Sequence, residues 1–217
     1  MGESALAVIQ KQVEEQGKLP VDLNIGYQVL FSSMTGSLPI NHRVTGELAG
    51  LPVDLQLGYT MIKDPSGGFP VNTSLRGRIG DTVVQAKLNY QVVFSSIAGN
   101  IPVNTGVEWE MDGEKICLTM PTAYVSAFAR AGGMQSAGGA KTGLKMEVKY
   151  KQGVMVEVEG GGGGGAPSEA GRPIPQGVQG CIGDLLVDCR FSYTYFINCS
   201  SGRNPINTRL KGVIRKR

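Results

Sequence analysis

The sequence contains few of the side chains on which most catalytic and metal sites depend. His42 is the only histidine, and the four cysteines stand 64, 8 and 10 residues apart, at Cys117, Cys181, Cys189 and Cys199. Zinc and redox sites use close cysteine pairs or several histidines at short spacing, and this chain has neither pattern. No Gly-Lys-Ser or Gly-Lys-Thr follows the longest glycine run, so a phosphate-binding P-loop is also excluded. We therefore predict that the protein is not an enzyme and carries no cofactor or metal.

Long apolar runs are absent as well. No window of the sequence approaches the ~18 consecutive apolar residues of a membrane-spanning helix, so no membrane span is predicted. The first residues contain no basic segment followed by an apolar run, so no secretory signal is predicted either. These absences leave the compartment open, including a place in a surface or coat assembly.

Glycine is the residue that the chain has in excess. It supplies 32 of 217 residues, about twice the usual share, whereas aromatic residues make up 6% and charged residues 18%. The ordinary hydrophobic content of 41% argues against a disordered chain. The composition is therefore typical of a folded, turn-rich protein, and the length is one that a single all-β domain commonly has.

The chain repeats one unit several times. Residues 19–50, 51–81 and 82–113 align as consecutive units of 32, 31 and 32 residues, and the end of the chain aligns with the first unit without a gap. Residues 114–150 resemble a degenerate copy. The aligned positions include a tyrosine (Tyr27, Tyr59, Tyr90, Tyr193), a proline (Pro39, Pro70, Pro102, Pro205) and an asparagine (Asn41, Asn72, Asn104, Asn207). The chain is therefore about five copies of one supersecondary unit.

Each unit has the pattern of a β-hairpin. In residues 21–31 apolar side chains alternate with polar ones, which is the period of a half-buried strand, and the second half of the unit alternates in the same way. Two-residue links rich in Gly and Asp follow at 49–50, 80–81 and 112–113, as tight hairpin turns require. The sequence thus predicts an all-β fold, an antiparallel meander of about ten strands built from repeated hairpins of about 32 residues.

Such a meander must remove its exposed edges, either as an up-and-down barrel or as a sandwich of two sheets. We expect residues 1–18 to form a short N-terminal helix or arm and 19–159 to form the repeat-built β domain. Residues 160–183 are expected to be a Gly/Pro-rich linker or loop, either on the surface or crossing to a neighbouring subunit. Residues 184–217 form the final hairpin, which completes the same domain and could pair with the first unit.

Several residues that might suggest chemistry have structural explanations. His42 aligns with a threonine in the other units (Thr73, Thr105, Thr208), so a structural role is expected. Three aspartates occupy equivalent outward positions on different strands, at Asp22, Asp54 and Asp188, and are predicted to be solvated rather than a catalytic pair. The aligned asparagines are expected to hold loop backbone through side-chain hydrogen bonds.

The aligned tyrosines and Tyr124 share the inward parity of their strands. We expect them to form a ring of core aromatic side chains with their hydroxyl groups near the loop rim. The alternative is a cavity that binds a small apolar ligand.

Three cysteines lie close together in the sequence. Cys181, Cys189 and Cys199 are candidates for a disulfide bond, within one chain or between chains, if the protein reaches an oxidising compartment. The alternation also places Cys189 on the inward side of its strand, where it would be a small buried hydrophobic residue.

The alternation breaks near the loop end of each first strand. Four apolar residues then occupy the otherwise polar face, at Leu30, Ile62, Val93 and Phe196. An apolar band on that face needs a cover, which could be the loops, the N-terminal segment or another subunit. These residues are therefore candidates for assembly contacts.

Positive charge is concentrated at the end of the chain. Residues 203–217 carry six basic and no acidic side chains, a charge of +6, whereas the rest carries 15 basic and 18 acidic ones, a charge of −3. Four of the basic residues share one parity, at Arg209, Lys211, Arg215 and Arg217. This cationic stripe suits contact with the acidic body of another copy, or a solvated edge strand. The lack of interleaved aromatic residues disfavours nucleic-acid binding.

These features favour a structural protein that assembles with itself, as a subunit of a filament, sheath or coat. The alternative is a monomeric barrel or sandwich that binds a small apolar ligand or a glycan.

Overall fold

The computed structural model describes residues 3–32, 36–64, 67–95, 99–126, 155–158, 171–198 and 202–217. One helix, α1 (Ala5–Gln16), precedes the strands. The strands are β1 (Lys18–Ser32), β2 (Gly36–Leu48), β3 (Leu51–Asp64), β4 (Gly67–Ile79), β5 (Thr82–Ser95), β6 (Gly99–Met111), β7 (Glu114–Thr119), β8 (Thr122–Ser126), β9 (Met155–Val158), β10 (Gly171–Pro175), β11 (Gly177–Ile182), β12 (Leu185–Asn198) and β13 (Gly202–Lys216).

Ten of these strands form a closed antiparallel barrel. Strands β1 to β7 follow one another in chain order, β13 and β12 continue the sheet beyond β1, and β11 joins β7 to β12. The predicted all-β meander of about ten strands is confirmed, and the closed ring selects a barrel over a sandwich. Strand β9 pairs along the outer half of β12, while β8 and β10 form a separate two-stranded sheet.

Part of the predicted linker belongs to this architecture. Residues 160–170 lie outside the described ranges, but 171–182 form β10 and β11. Among its described residues, the degenerate unit supplies only β7 to the barrel, and β7 does not pair with β12 directly. Strand β11 pairs with both and closes the ring.

A β-bulge divides each of four long hairpins into two halves. The register shifts before the aligned tyrosine in every case, so one extra residue on the second strand has no opposite partner. That extra residue is His42, Thr73, Thr105 or Thr208. The structural role expected for His42 is therefore that of a bulged residue.

Beyond the bulges the hairpins separate from the barrel. The ladder between β2 and β3 covers only Arg43–Leu48 and Leu51–Gln56, whereas the ladder within the β1–β2 hairpin runs on to the loop. We call the outer halves the arms, at residues 27–32 and 36–41, 59–64 and 67–72, 90–95 and 99–104, and 193–198 and 202–207. The second strands of neighbouring hairpins contact one another, β13 with β2, β2 with β4 and β4 with β6.

The aligned asparagines join neighbouring hairpins at the level of the bulges. The side-chain amide of Asn41 donates to the backbone carbonyl of Asn207, at 2.7 Å. Asn72 donates in the same way to Asn41 at 2.9 Å, and Asn104 to Asn72 at 2.7 Å. We call these four residues the asparagine ring.

The same amides also donate to backbone carbonyls within their own hairpins. Asn41 reaches Gly26 at 3.3 Å, Asn72 reaches Gly58 at 3.4 Å and Asn104 reaches Asn89 at 3.2 Å, in each case at the bulge. We expected these asparagines to hold the loop backbone, but their amides bind at the bulge instead. The bulge leaves a backbone carbonyl without a partner, and the asparagine amide supplies the donor.

Ion pairs on the outside of the barrel repeat from hairpin to hairpin. Arg43 binds Asp54 in the next hairpin through two hydrogen bonds of 2.7 and 2.8 Å, and Arg209 binds Asp22 through bonds of 2.5 and 2.7 Å. These hydrogen bonds hold the pKa of Asp22 and Asp54 below the ordinary value. Because both pairs are about half exposed, they specify register more than they add stability.

Helix α1 covers the turn end of the barrel. Ser4 caps the helix by accepting from the Ala7 amide, and Gly17 ends it in the left-handed region at φ 75°. Leu6, Ile9 and Val13 are buried against the barrel core, which confirms a helix rather than an arm. At 12 residues α1 is too short to cross a membrane, and the described ranges contain no other helix.

We predict that Asn72→Ala lowers the free energy of unfolding by about 1–3 kcal/mol, because one buried and one partly buried carbonyl lose this donor. Asn24→Ala is the control, since Asn24 is exposed on β1 and its loss should change stability by less than about 0.5 kcal/mol. Urea denaturation measures both values. Equal losses in the two variants would contradict a stabilising role for the asparagine ring.

Candidate ligand-binding lumen

The interior of the barrel contains an apolar cavity of about 240 Å³. Every strand of the barrel contributes side chains to its wall. Leu6 and Ile9 of α1 line it near the turn end, and the asparagine ring lines it near the arms. The wall is otherwise built of aliphatic residues such as Val84, Leu88 and Leu118, together with Trp109 and Phe191.

The tyrosine side chains lie outside the cavity. The prediction of an inward ring of tyrosines is wrong: Tyr59 and Tyr90 are 42% and 41% exposed, and Tyr27, Tyr124 and Tyr193 are half-buried. Each aligned tyrosine follows a bulge, at the start of an arm. The lumen is consequently lined mainly by Val, Leu and Ile, which fill less of its width.

Two polar atoms in the cavity wall lack partners. Within the part of the chain that the structure describes, Nε1 of Trp109 and Oδ1 of Asn207 are buried without a hydrogen bond. Trp109 and Asn207 both line the cavity. Buried polar groups are nearly always hydrogen-bonded in folded proteins, because an unpaired one is costly. The wall of the lumen therefore contains one donor and one acceptor without a partner.

The lining holds no charge. Cys189 is its only titratable residue, and burial, assisted by the nearby Asp188 charge, raises the pKa of its thiol to about 11. The thiol therefore stays neutral near pH 7 and is a poor nucleophile. Across the described ranges no three potential metal ligands come together. His42 lies exposed outside the lumen, beside Gly26.

The four residues predicted for assembly contacts lie on the inner side of the arms. Leu30, Ile62, Val93 and Phe196 are half-buried. Each is paired across its arm with a buried residue; Leu30, for example, is opposite Leu38, which is 3% exposed. The apolar band is thus covered at least in part within the chain. Contact of these residues with another copy stays a prediction.

The opposite side of the arms carries the exposed apolar residues. Six large side chains on β1, β3 and β5 are between 41% and 83% exposed. We call them the arm face, formed by Val29, Phe31, Tyr59, Met61, Tyr90 and Val92. The alternation of the first strand alone places these residues inward, but they face out once the bulge has turned the arm.

The cationic stripe lies within the barrel wall. Strand β13 pairs with β1 on one side and β12 on the other, so the interpretation as an edge strand is wrong. Arg209 is bound to Asp22, while Lys211, Arg215 and Arg217 are exposed. The acidic partner on β1 reduces the net positive charge of this surface.

The predicted cysteine cluster is separated by the fold. Cys181 is exposed and Cys189 is buried, and both thiols are free. A bond between them is not formed because one faces solvent and the other faces the lumen. Cys199 lies outside the described residues. Trp109 and the asparagines line one cavity, and the only sign of this in the sequence is the repeated asparagine.

The geometry defines a closed antiparallel β-barrel with a neutral, mostly apolar lumen that is lined at one end by a helix. No family model, curated protein or solved structure gave a significant match to the chain. Inferences about function therefore depend on the lumen and the surface themselves.

Proposed function

We propose that the protein binds a small, neutral and mostly apolar molecule in the lumen of the barrel. The observation that carries this proposal is the apolar cavity of about 240 Å³ in the middle of the core. An apolar cavity of about 150 Å³ is enough to bind benzene. Pockets for drug-sized ligands begin at about 300 Å³. The ligand should therefore be larger than benzene and smaller than a typical drug molecule.

The wall of the cavity also restricts the chemistry of the ligand. A charged group would lose its hydration without meeting a counter-charge, because the lining carries none. One hydroxyl or carbonyl group could accept from Nε1 of Trp109, and a hydroxyl could instead donate to Oδ1 of Asn207. We infer that the ligand is an apolar skeleton with one such group.

A binding role without catalysis is the simplest form of this proposal. The lumen lining provides no charged acid or base, and its one thiol is held neutral by burial. Proton transfer and covalent catalysis need a group whose pKa is matched to the reaction. We therefore propose a carrier or sensor of the ligand rather than an enzyme that transforms it.

The test uses 2-naphthol, a neutral aromatic molecule with one hydroxyl, in isothermal titration calorimetry. We expect one saturable site per chain. Val84→Phe, which places a larger side chain into the lumen, should weaken binding by about tenfold or more, because the volume needed by the ligand is filled. Val83→Phe is the matched control, since Val83 is the preceding residue of β5 and is 56% exposed outside the barrel.

The absence of saturable binding would contradict the proposal. Equal binding by the Val84→Phe and Val83→Phe variants would contradict it too, because the molecule would then bind outside the lumen.

A second candidate function is self-assembly, and the arm face favours it. Groups of exposed apolar side chains usually mark a surface that contacts another molecule. The arm face lies on the first strands of three consecutive arms and includes Phe31, which is 83% exposed. We propose that a second copy of the chain covers it, in an assembly of the filament, sheath or coat kind. Lumen binding and assembly would use different parts of the molecule.

Sedimentation velocity over a range of protein concentrations tests this second function. The wild-type chain should sediment as larger species as its concentration rises, and Val92→Ser in the arm face should shift the equilibrium toward monomer by about tenfold. Val83→Ser is the control, because Val83 has similar exposure on the same strand but lies near the turn end. A wild-type chain that remains monomeric at all concentrations would contradict assembly, as would equal effects of the two substitutions.

A further inference from the structure

Two exposed cysteines face each other across the joint that closes the barrel. Cys117 of β7 and Cys181 of β11 are direct partners in the antiparallel ladder, and both thiols are free and exposed. The two residues are 64 positions apart in the sequence, and only the insertion of β11 beside β7 brings them together.

The local backbone suits a covalent bond between them. Directly opposite residues of an antiparallel pair have Cα atoms about 4.5–5.5 Å apart, which lies within the range of about 4.4–6.8 Å for disulfides. Gly180 permits the close approach, because a Cβ atom there would lie 2.8 Å from Cδ2 of Leu118 and 3.2 Å from the carbonyl oxygen of Cys117. Thr119 and Gln179 are exposed on the same outer face.

This joint is the shortest ladder in the barrel. Strands β7 and β11 pair over three residue pairs, from Gln179 to Cys181, whereas β11 and β12 pair over six. Fewer ladder pairs mean fewer backbone hydrogen bonds to hold the ring closed here. A covalent link at this position would stabilise the closed ring where its backbone pairing is least extensive.

We propose that Cys117 and Cys181 are a reversible dithiol–disulfide site that links β7 to β11. The oxidant is a small-molecule disulfide of the glutathione type. One cysteine thiolate attacks that disulfide, forms a mixed disulfide and releases one glutathione thiolate. The second cysteine thiolate then attacks the protein sulfur of the mixed disulfide and releases the second glutathione. The two protein thiols are oxidised to one disulfide, and one oxidised glutathione is reduced to two thiols.

Cys189 does not compete for this reaction. It is buried on the lumen side of β12, and burial raises the pKa of its thiol to about 11. Reactivity toward disulfides requires an accessible thiolate, which this residue lacks in the folded protein.

The test treats the reduced full-length chain with oxidised glutathione and maps its disulfides by mass spectrometry of non-reduced peptides. We expect an intrachain bond between Cys117 and Cys181 and a mass lower by two hydrogen atoms. Because the bond closes a long loop, the melting temperature should rise by roughly 5–10 °C relative to the reduced chain.

Three variants make the result specific. Cys117→Ser and Cys181→Ser should each abolish the bond and the rise in melting temperature, while their reduced melting temperatures stay near that of the reduced wild type. Cys189→Ala should retain the bond. A bond from Cys181 to Cys199, a bond between two chains, or no bond at all would each overturn the proposal.

Discussion

The β-bulges of the long hairpins, together with the asparagines beside them, are the constraint on which the rest of the structure depends. An extra residue in the second strand frees a backbone carbonyl, and a buried carbonyl without a donor is costly. The amide of Asn72, for example, meets that need and at the same time reaches the carbonyl of Asn41 in the preceding hairpin. One side chain therefore fixes the bulge and sets the position of its neighbour.

The bulges divide each long hairpin into a part that belongs to the barrel and a part that forms an arm. On one side the strands pair with both neighbours and close a barrel, and on the other they leave it as arms. The asparagine ring lies at the boundary and lines one end of the lumen. Because the bulge also changes which residues face inward, the tyrosines and the arm face leave the interior. The cavity and the exposed apolar surface thus have the same origin.

Much of the fold could be predicted from the sequence, because hairpins are local. Alternation, two-residue turns and the repeat together indicate the strands, and Leu6, Ile9 and Val13 indicate the helix. The side of the arm on which each residue lies could not be predicted. The alternation in the first strand predicts inward residues without interruption, whereas the extra residue that turns the arm lies in the second strand. The pairing of Cys117 with Cys181 could not be predicted either. It depends on the formation of β11 in a glycine-rich segment that has no hairpin pattern of its own.

Closure of the ring between the last unit and the first is the central claim of this account. Hairpins that are adjacent in the sequence are linked by an asparagine hydrogen bond and by an Arg–Asp ion pair. The same two contacts link the last hairpin to the first, between Asn41 and Asn207 and between Asp22 and Arg209. Amide hydrogen exchange with residue resolution tests this joint directly. We expect ladder amides in 18–24 and 209–215 to be protected as strongly as those in the ladder between β2 and β3. Rapid exchange along both segments, as at two open sheet edges, would show that the ring is not closed and would remove the lumen with it.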